Sequence, residues 1–378
     1  MGYFIGEPIG KEFPMRGEKP QQGYMFSYLS PEERVPKDHP LRKLKGFADQ
    51  ALSELSRTFD EMYSRMGRPS IPPEVLLKSQ LLIALYSVRS DRLFCEMLDY
   101  NILFRWFLDL DMESLSFDAS TFSKNRERLM DHEVAHRFFD EVVKVARGEG
   151  LLSDEHFTVD GTLIEACASL KSFQKDGKKP PAESGNAPSN PVVDFHGEKR
   201  SNATHQSTTD PQARLMRKGK GKEAKLSYTG DVLMENRHGL CVDLDVLVAT
   251  GDSERDGSMT LIRRYRRKRK RRMKTVGGDK GFHTRKFVKE LRRLKVSPHV
   301  AQREGWKIPG LDGRTVERTG YQISQGIRKR VEEIFGWLKW IGGLRKTRFR
   351  GLARVRDHAY MVAAAYNLLR IGRLTAQA

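Results

Sequence analysis

The chain has 378 residues, 38% hydrophobic and 31% charged, and its 68 Lys and Arg outnumber its 49 Asp and Glu to give a formal net charge of +19. That length allows two or three domains with a sizeable core, and a positive excess of this size selects nucleic acid or an anionic membrane surface as partner. A membrane-spanning role is excluded by the longest apolar stretch, Leu81 to Val88, which is far short of the roughly 20 residues a bilayer requires. Glu7, Lys11 and Glu12 interrupt any apolar signal core near the start. Three dispersed cysteines, Cys95, Cys167 and Cys241, form no C-x-x-C pair, which points to a reducing cytoplasm rather than to disulfides or structural zinc.

Residues 1–40, rich in Gly and Pro, read as an irregular arm. Helical signals then run from Leu41 to about Gly150. Pro72-Pro73 opens the clearest helix, proline being well suited to a helix start. Asp91 is expected to cap a second helix through Leu98, and Ser120 or Thr121 a third through Met130. Short helices with short polar joints make a helical domain over 41–150; a helix-turn-helix and a protein–protein platform both fit that spacing. The pattern changes at His156, where an apolar strand runs to Asp160-Gly161 and on to Ala166. Residues of about 171–225 are rich in Lys, Gly, Pro, Ser and Asn and read as a flexible insertion or DNA-facing loop. Strands are expected over Lys225–Gly230, Val232–Asn236 and Leu240–Val248, with a hairpin turn at Asn236-Arg-His-Gly. A basic helix, the run Thr275–Gly281, a helix over Phe287–Leu294 and a strand over Val296–Val300 follow. The last elements are helices over Ile327–Trp340 and His358–Ile371. The fold class is therefore α/β, an N-terminal helical domain followed, over 151–378, by a mixed sheet flanked by helices.

Three acids stand out. Asp160 ends an apolar run before a glycine, Asp279 follows Gly277-Gly278 and precedes Lys280-Gly281, and Glu332 lies on the late helix. Acids beside glycine at strand ends commonly face a cleft, although a turn cap is the ordinary use of a lone Asp. Converging carboxylates bind hard divalent cations, Mg²⁺ or Mn²⁺. Two such ions about 3.5–4 Å apart can activate a water or a 3′-hydroxyl and stabilise the leaving oxygen. At about 100° per residue, Val331, Ile334, Phe335, Leu338 and Ile341 share the apolar face of that helix. Arg328, Glu332 and Lys339 share its margin, where two cations suit phosphate contacts, while Glu333 points to the polar side. A stripe of surface ion pairs would use the same spacing.

These residues match a known family. Arg328-Lys-Arg-Val-Glu332-Glu-Ile-Phe-Gly-Trp-Leu-Lys339 resembles the R-x3-E-x6-K signature of bacterial insertion-sequence transposases of the DDE class. Phe157-Thr-Val-Asp160-Gly-Thr-Leu resembles their first-aspartate segment and Val276-Gly-Gly-Asp279-Lys-Gly-Phe their second. Further matching segments in order extend the resemblance from about residue 25 to 371. The resemblance implies an RNase H-like catalytic domain in which Asp160, Asp279 and Glu332 are the catalytic metal ligands, holding Mg²⁺ or Mn²⁺ as two ions. It implies hydrolytic nicking at the element ends, then attack of the freed 3′-hydroxyl on target DNA, with Arg328 and Lys339 contacting DNA near the site. A dimer or higher assembly on DNA, an end-binding role for residues 41–150 and a nucleoid-associated place in the bacterial cytoplasm follow from the same resemblance. The signature often begins with a tyrosine where this chain has Gln325. Arg266, Arg267 and Arg269 belong to the dense basic run Ile262–Arg272, and with Lys280 they are expected to touch DNA phosphates through counterion release. A second basic run, Arg217–Lys222, lies in the insertion. No G-x-x-x-x-G-K-[ST] loop is present, so no nucleotide cofactor is expected. A non-catalytic DNA-binding derivative, or a metal-dependent nuclease without strand transfer, would share much of this pattern.

Overall fold

The computed structural model describes residues 30–63, 66, 70–175, 194–195, 198–219, 221–269 and 273–377. Most of the expected arm, residues 1–29, lies outside the described residues. Of the remainder, Ser30 caps the one-turn helix α1 (Pro31–Arg34) by accepting from the Glu33 N–H, Val35 after it is buried, and residues 35–40 are turns and bends.

Seven helices follow: α2 (Leu41–Ser53), α3 (Ser56–Met62), α4 (Pro73–Leu85), α5 (Asp91–Tyr100), α6 (Ile102–Phe107), α7 (Ala119–Asp131) and α8 (Val134–Gly148). Pro73 stands at the first turn of α4, where its missing N–H costs nothing. The expected caps are each displaced. Ser90, not Asp91, accepts from the Leu93 N–H at 3.1 Å. Asp118, not Ser120 or Thr121, accepts from the backbone of both at 3.0 Å. In each case the residue outside the helix has the extended backbone that lets its side chain turn back on the first N–H groups.

The second half is built on β1 (His156–Glu165), β2 (Phe173–Lys175), β3 (Asp194–Phe195), β4 (Glu198–Lys199), β5 (His205–Ser207), β6 (Arg214–Arg217), β7 (Ala224–Glu235) and β8 (Leu240–Val248), then α9 (Ser253–Arg269), β9 (Thr275–Gly278), α10 (Arg285–Arg293) and β10 (Ser297–Val300). Helices α11 (Gly313–Val316), α12 (Thr319–Ile327), α13 (Val331–Trp340) and α14 (Leu352–Gln377) complete it. The central sheet runs β8-β7-β1-β9-β10, with β1, β9 and β10 parallel, β7 antiparallel to β1, and β8 antiparallel to β7. That order and sense is the RNase H-like arrangement. The two strands expected over 225–236 are one 12-residue strand, β7, because the glycine at 230 pairs in register without a break.

The insertion of about 171–225 is not flexible throughout. β2 pairs with β5, β6 extends the outer edge of β7, and Ser207 and Asp210 are buried, the latter accepting from the Tyr228 hydroxyl at 2.6 Å. Residues 176–193, 196–197 and 220 of it lie outside the described residues.

Two apolar cores flank the sheet. One, under α9, α10 and α12, gathers Phe157, Leu233, Ile262, Val276, Leu291 and Tyr321. The other joins the opposite face to α14 and runs on without interruption through α8, α4 and α2. Among the described residues no helix is long and apolar enough to cross a membrane.

Candidate active site

The parallel pairing of β1 with β9 creates the site. Thr158 of β1 stands opposite Gly277 of β9, so the chain leaves β9 at Asp279 close to Asp160, which lies further along β1. Asp279 caps the following 3-10 turn, its Oδ1 accepting from the Gly281 N–H at 2.6 Å. Asp160 Oδ1 accepts from the Gly161 N–H at 2.9 Å. Gly161 is required sterically: a Cβ there would stand 2.5 Å from Glu254 Cγ and 2.8 Å from Asp231 Oδ1.

Asp160, Asp279, Glu332 and Lys339 line one cleft of about 670 Å³, together with Glu254 at the start of α9 and with Arg217 and Lys218 at the end of β6. Asp160, Glu254 and Asp279 are half-buried; Glu332 stands exposed at the rim rather than reaching inward from a buried helix. Among the described residues no cation forms an ion pair with any of these four acids, and no three His, Cys, Asp or Glu side chains already stand at metal-ligand spacing. Burial, with the charges of Asp279 and Glu254, pushes the Asp160 carboxyl up to about 7, against the pull of the Gly161 N–H and of Arg328. Burial and the Asp279 charge likewise push Glu254 up. Burial pushes Lys339 down, assisted by the charges of Lys218 and Arg345. Acids in an all-oxygen cluster that no described cation pairs are the donor set a hard divalent cation accepts.

Arg328 does not share a continuous α-helix with Glu332. A 3-10 turn, Arg328–Arg330, separates α12 from α13 and shifts the angular relation that a single helix over 327–340 would give. Arg328 is instead fixed by Gln325, whose Oε1 accepts from the Arg328 Nε at 3.0 Å while its amide donates to the His299 carbonyl on β10. The position that departs from the signature thus ties Arg328 to the sheet. Glu333 turns away, with Arg370 of α14 at 4.0 Å.

The basic helix lies elsewhere. α9 begins at the cleft, so Arg266 and Arg267 sit roughly 18 Å or more further along its axis; Arg266 is half-buried and Arg267 exposed. Arg269 ends α9, and residues 270–272 of the run are outside the described residues. Lys280 is exposed on the turn after Asp279.

Glu254 and Asp231 were missed by sequence reasoning. An acid in the first turn of a helix is the common complement to the helix dipole, so Glu254 carries no distinctive local signal. Asp231 lies within a long apolar strand whose neighbours come from distant segments.

Comparison with known proteins gives two family matches: the Transposase domain (DUF772) over residues 29–128 and the Transposase DDE domain over residues 152–368. Among solved structures, the piggyBac transposase synaptic complex with hairpin DNA is 10% identical, covering 89% of this chain and 76% of that chain at a TM-score of 0.40. The Mos1 mariner paired end complex with Mn is 15% identical, covering 91% and 88% at a TM-score of 0.20. The second family match takes in more than half of the chain, including β1, β9 and α13 with their three acids, and the protein belongs to the DDE transposase family.

Proposed function

We propose that this DNA transposase binds the ends of its insertion sequence, cleaves them, and joins the freed 3′ ends to target DNA in the cleft between β1, β9 and α13. The observation that carries this reading is the meeting of Asp160, Asp279 and Glu332 on one cleft in which no described cation pairs with them. Asp160 and Asp279, from adjacent parallel strands, would hold divalent cations, together with Glu332 at the rim of the same cleft. Two Mg²⁺ or Mn²⁺ ions, when bound, supply Lewis-acid activation of the attacking oxygen and stabilisation of the leaving one. Lys339, Arg328, Arg217 and Lys218 hold the phosphodiester against the acids, a task for which cations at the edge of a carboxylate cluster are suited. Lys280 and the basic C-terminal part of α9, with Arg266, Arg267 and Arg269, extend the phosphate contacts without reading sequence. The helical segment 41–150 grips the element ends. Two ends must be held together for joining, so the working form is a homodimer or larger assembly on DNA, acting at the nucleoid in the cytoplasm.

A strand-transfer assay with Mg²⁺ or Mn²⁺, on DNA ends taken from the gene's own flanks, tests this. Asp160→Ala, Asp279→Ala and Glu332→Ala are expected to bind those ends while cutting and joining fall by about 10³-fold or more. Wild type that binds the ends without any metal-dependent cutting refutes the reading. Loss of activity in Glu333→Ala but not in Glu332→Ala refutes the choice of glutamate.

A further inference from the structure

Glu254 opens α9, yet it does not cap its own helix. Its Oε1 reaches across to the strand and accepts from the N–H of Gly161, the residue after Asp160, at 3.1 Å. It shares the cleft with Asp160, Asp279 and Glu332. Beneath it, Asp231 of β7 is fully buried, and neither of its carboxylate oxygens has a hydrogen-bond partner. Both oxygens press toward the same place. Oδ1 lies 2.8 Å from the point a Cβ on Gly161 would occupy, and Oδ2 1.9 Å from the corresponding point on Gly257 of α9. Two glycines thus stand where a side chain would collide with the acids. A buried carboxylate without a partner is costly, and a cluster of such groups is retained where a ligand of opposite charge completes it.

We infer that Glu254 is a fourth carboxylate of the cation site, ligating a divalent metal together with Asp160 and Asp279, with Asp231 buried and unpartnered behind them. This rests on the reading that Asp160 and Asp279 hold metal. The three inner acids load the cation in the free protein, since Glu332 stands exposed at the rim. The described side chains do not stand at metal-ligand spacing, so ligation would require the inner carboxylates to move closer together. Oxygen donors from a strand, a helix start and a turn approach it from three directions, as a cation that demands octahedral oxygen coordination requires.

Mn²⁺ binding to the full-length protein without DNA, followed by electron paramagnetic resonance, tests the assignment. Wild type is expected to bind, and Asp160→Asn to lose binding. Glu254→Gln keeps an oxygen for the Gly161 N–H and is expected to weaken Mn²⁺ roughly 10- to 100-fold. Glu254→Asp, with its charge on a shorter stem, should fall between, and Glu333→Gln should match wild type. Wild-type affinity in Glu254→Gln, with binding lost in Asp160→Asn, overturns the fourth ligand and leaves the metal reading standing. Equal binding by wild type and Asp160→Asn overturns both, and wild type that binds no Mn²⁺ without DNA overturns the inner-acid site. Should Glu254→Gln fail to fold, as judged by circular dichroism, Glu254→Asp decides, wild-type affinity there refuting the assignment.

Discussion

Two groups of acids lie under the same helix on neighbouring strands, and they are treated in opposite ways. Asp243 and Asp245 of β8 meet the C-terminal half of α9. Arg264 there grips Asp243 with two nitrogens, at 2.6 and 2.8 Å, reaches Asp245 at 3.2 Å, and is backed by Arg356 of α14 at 2.8 Å from Asp245. Burial opposes the Arg264 charge, but hydrogen bonding to Asp243 and its charge outweigh that and push the guanidinium pKa up. Asp231 is the cross-strand partner of Asp245 and lies under the N-terminal half of α9. There the helix presents Gly257 and Glu254, a gap and another acid. Burial, with the charges of Glu254, Asp245 and Asp160, pushes the Asp231 carboxyl well up. One end of α9 neutralises its strand and builds structure; the other gives the acids beside the cleft no cation. Acid in a strand is therefore not the mark of a site. Acid in a strand that the covering helix declines to pair is.

The contrast can be broken at several points. Arg264→Met strands the buried Asp243 carboxylate and leaves Asp245 to Arg356 alone, and is expected to lower stability by roughly 3–5 kcal/mol; a denaturation midpoint near wild type would show that the pair is incidental. The next effect is on pH. In chelator, the Asp160 carboxyl of the folded chain keeps its proton to about 7, against an ordinary value of 3.8. Between those values the folded state binds more protons than the unfolded one, so stability falls as pH rises through that window. Asp160→Asn should flatten this part of the profile, and an unchanged slope from pH 4 to 7 would mean that the group is not strained by burial. The smallest effect is at Asp231→Asn, which removes a buried, unpartnered carboxyl whose ionisation burial disfavours. Without metal at pH 7 it should raise stability by about 1–3 kcal/mol, and a loss of that size would mean that Asp231 is satisfied as it stands.

The sequence carried some of this and could not carry the rest. Apolar runs at 156–166 and 240–248 are read directly as strands, because burial on a sheet leaves period and composition behind. Helix starts were misplaced by one to three residues, since several polar side chains in succession could each cap and only backbone conformation decides which does. The polar composition around β6 disguised a strand that pairs through its backbone with the start of β7. Periodicity assumed one helix from Ile327 and so could not register the 3-10 turn at Arg328. Gln325, notable only as a missing tyrosine, holds Arg328 through a carbonyl on β10, a contact made across 26 residues. Glu254 and Asp231 become visible only when α9 is laid over β1 and β7.

Helix α14 puts a clock on the appearance of active protein. Its side chains complete the core that α2, α4 and α8 begin, so those early helices remain without their central packing partner until the ribosome has passed residue 352. At ordinary synthesis rates the roughly 200 intervening residues take on the order of 10 to 40 s. During that interval a nascent chain already carrying β8 lacks the helix that packs on it, and a transposase shortened before α14 should be a chaperone client rather than a competent cutter of the DNA from which it is being expressed.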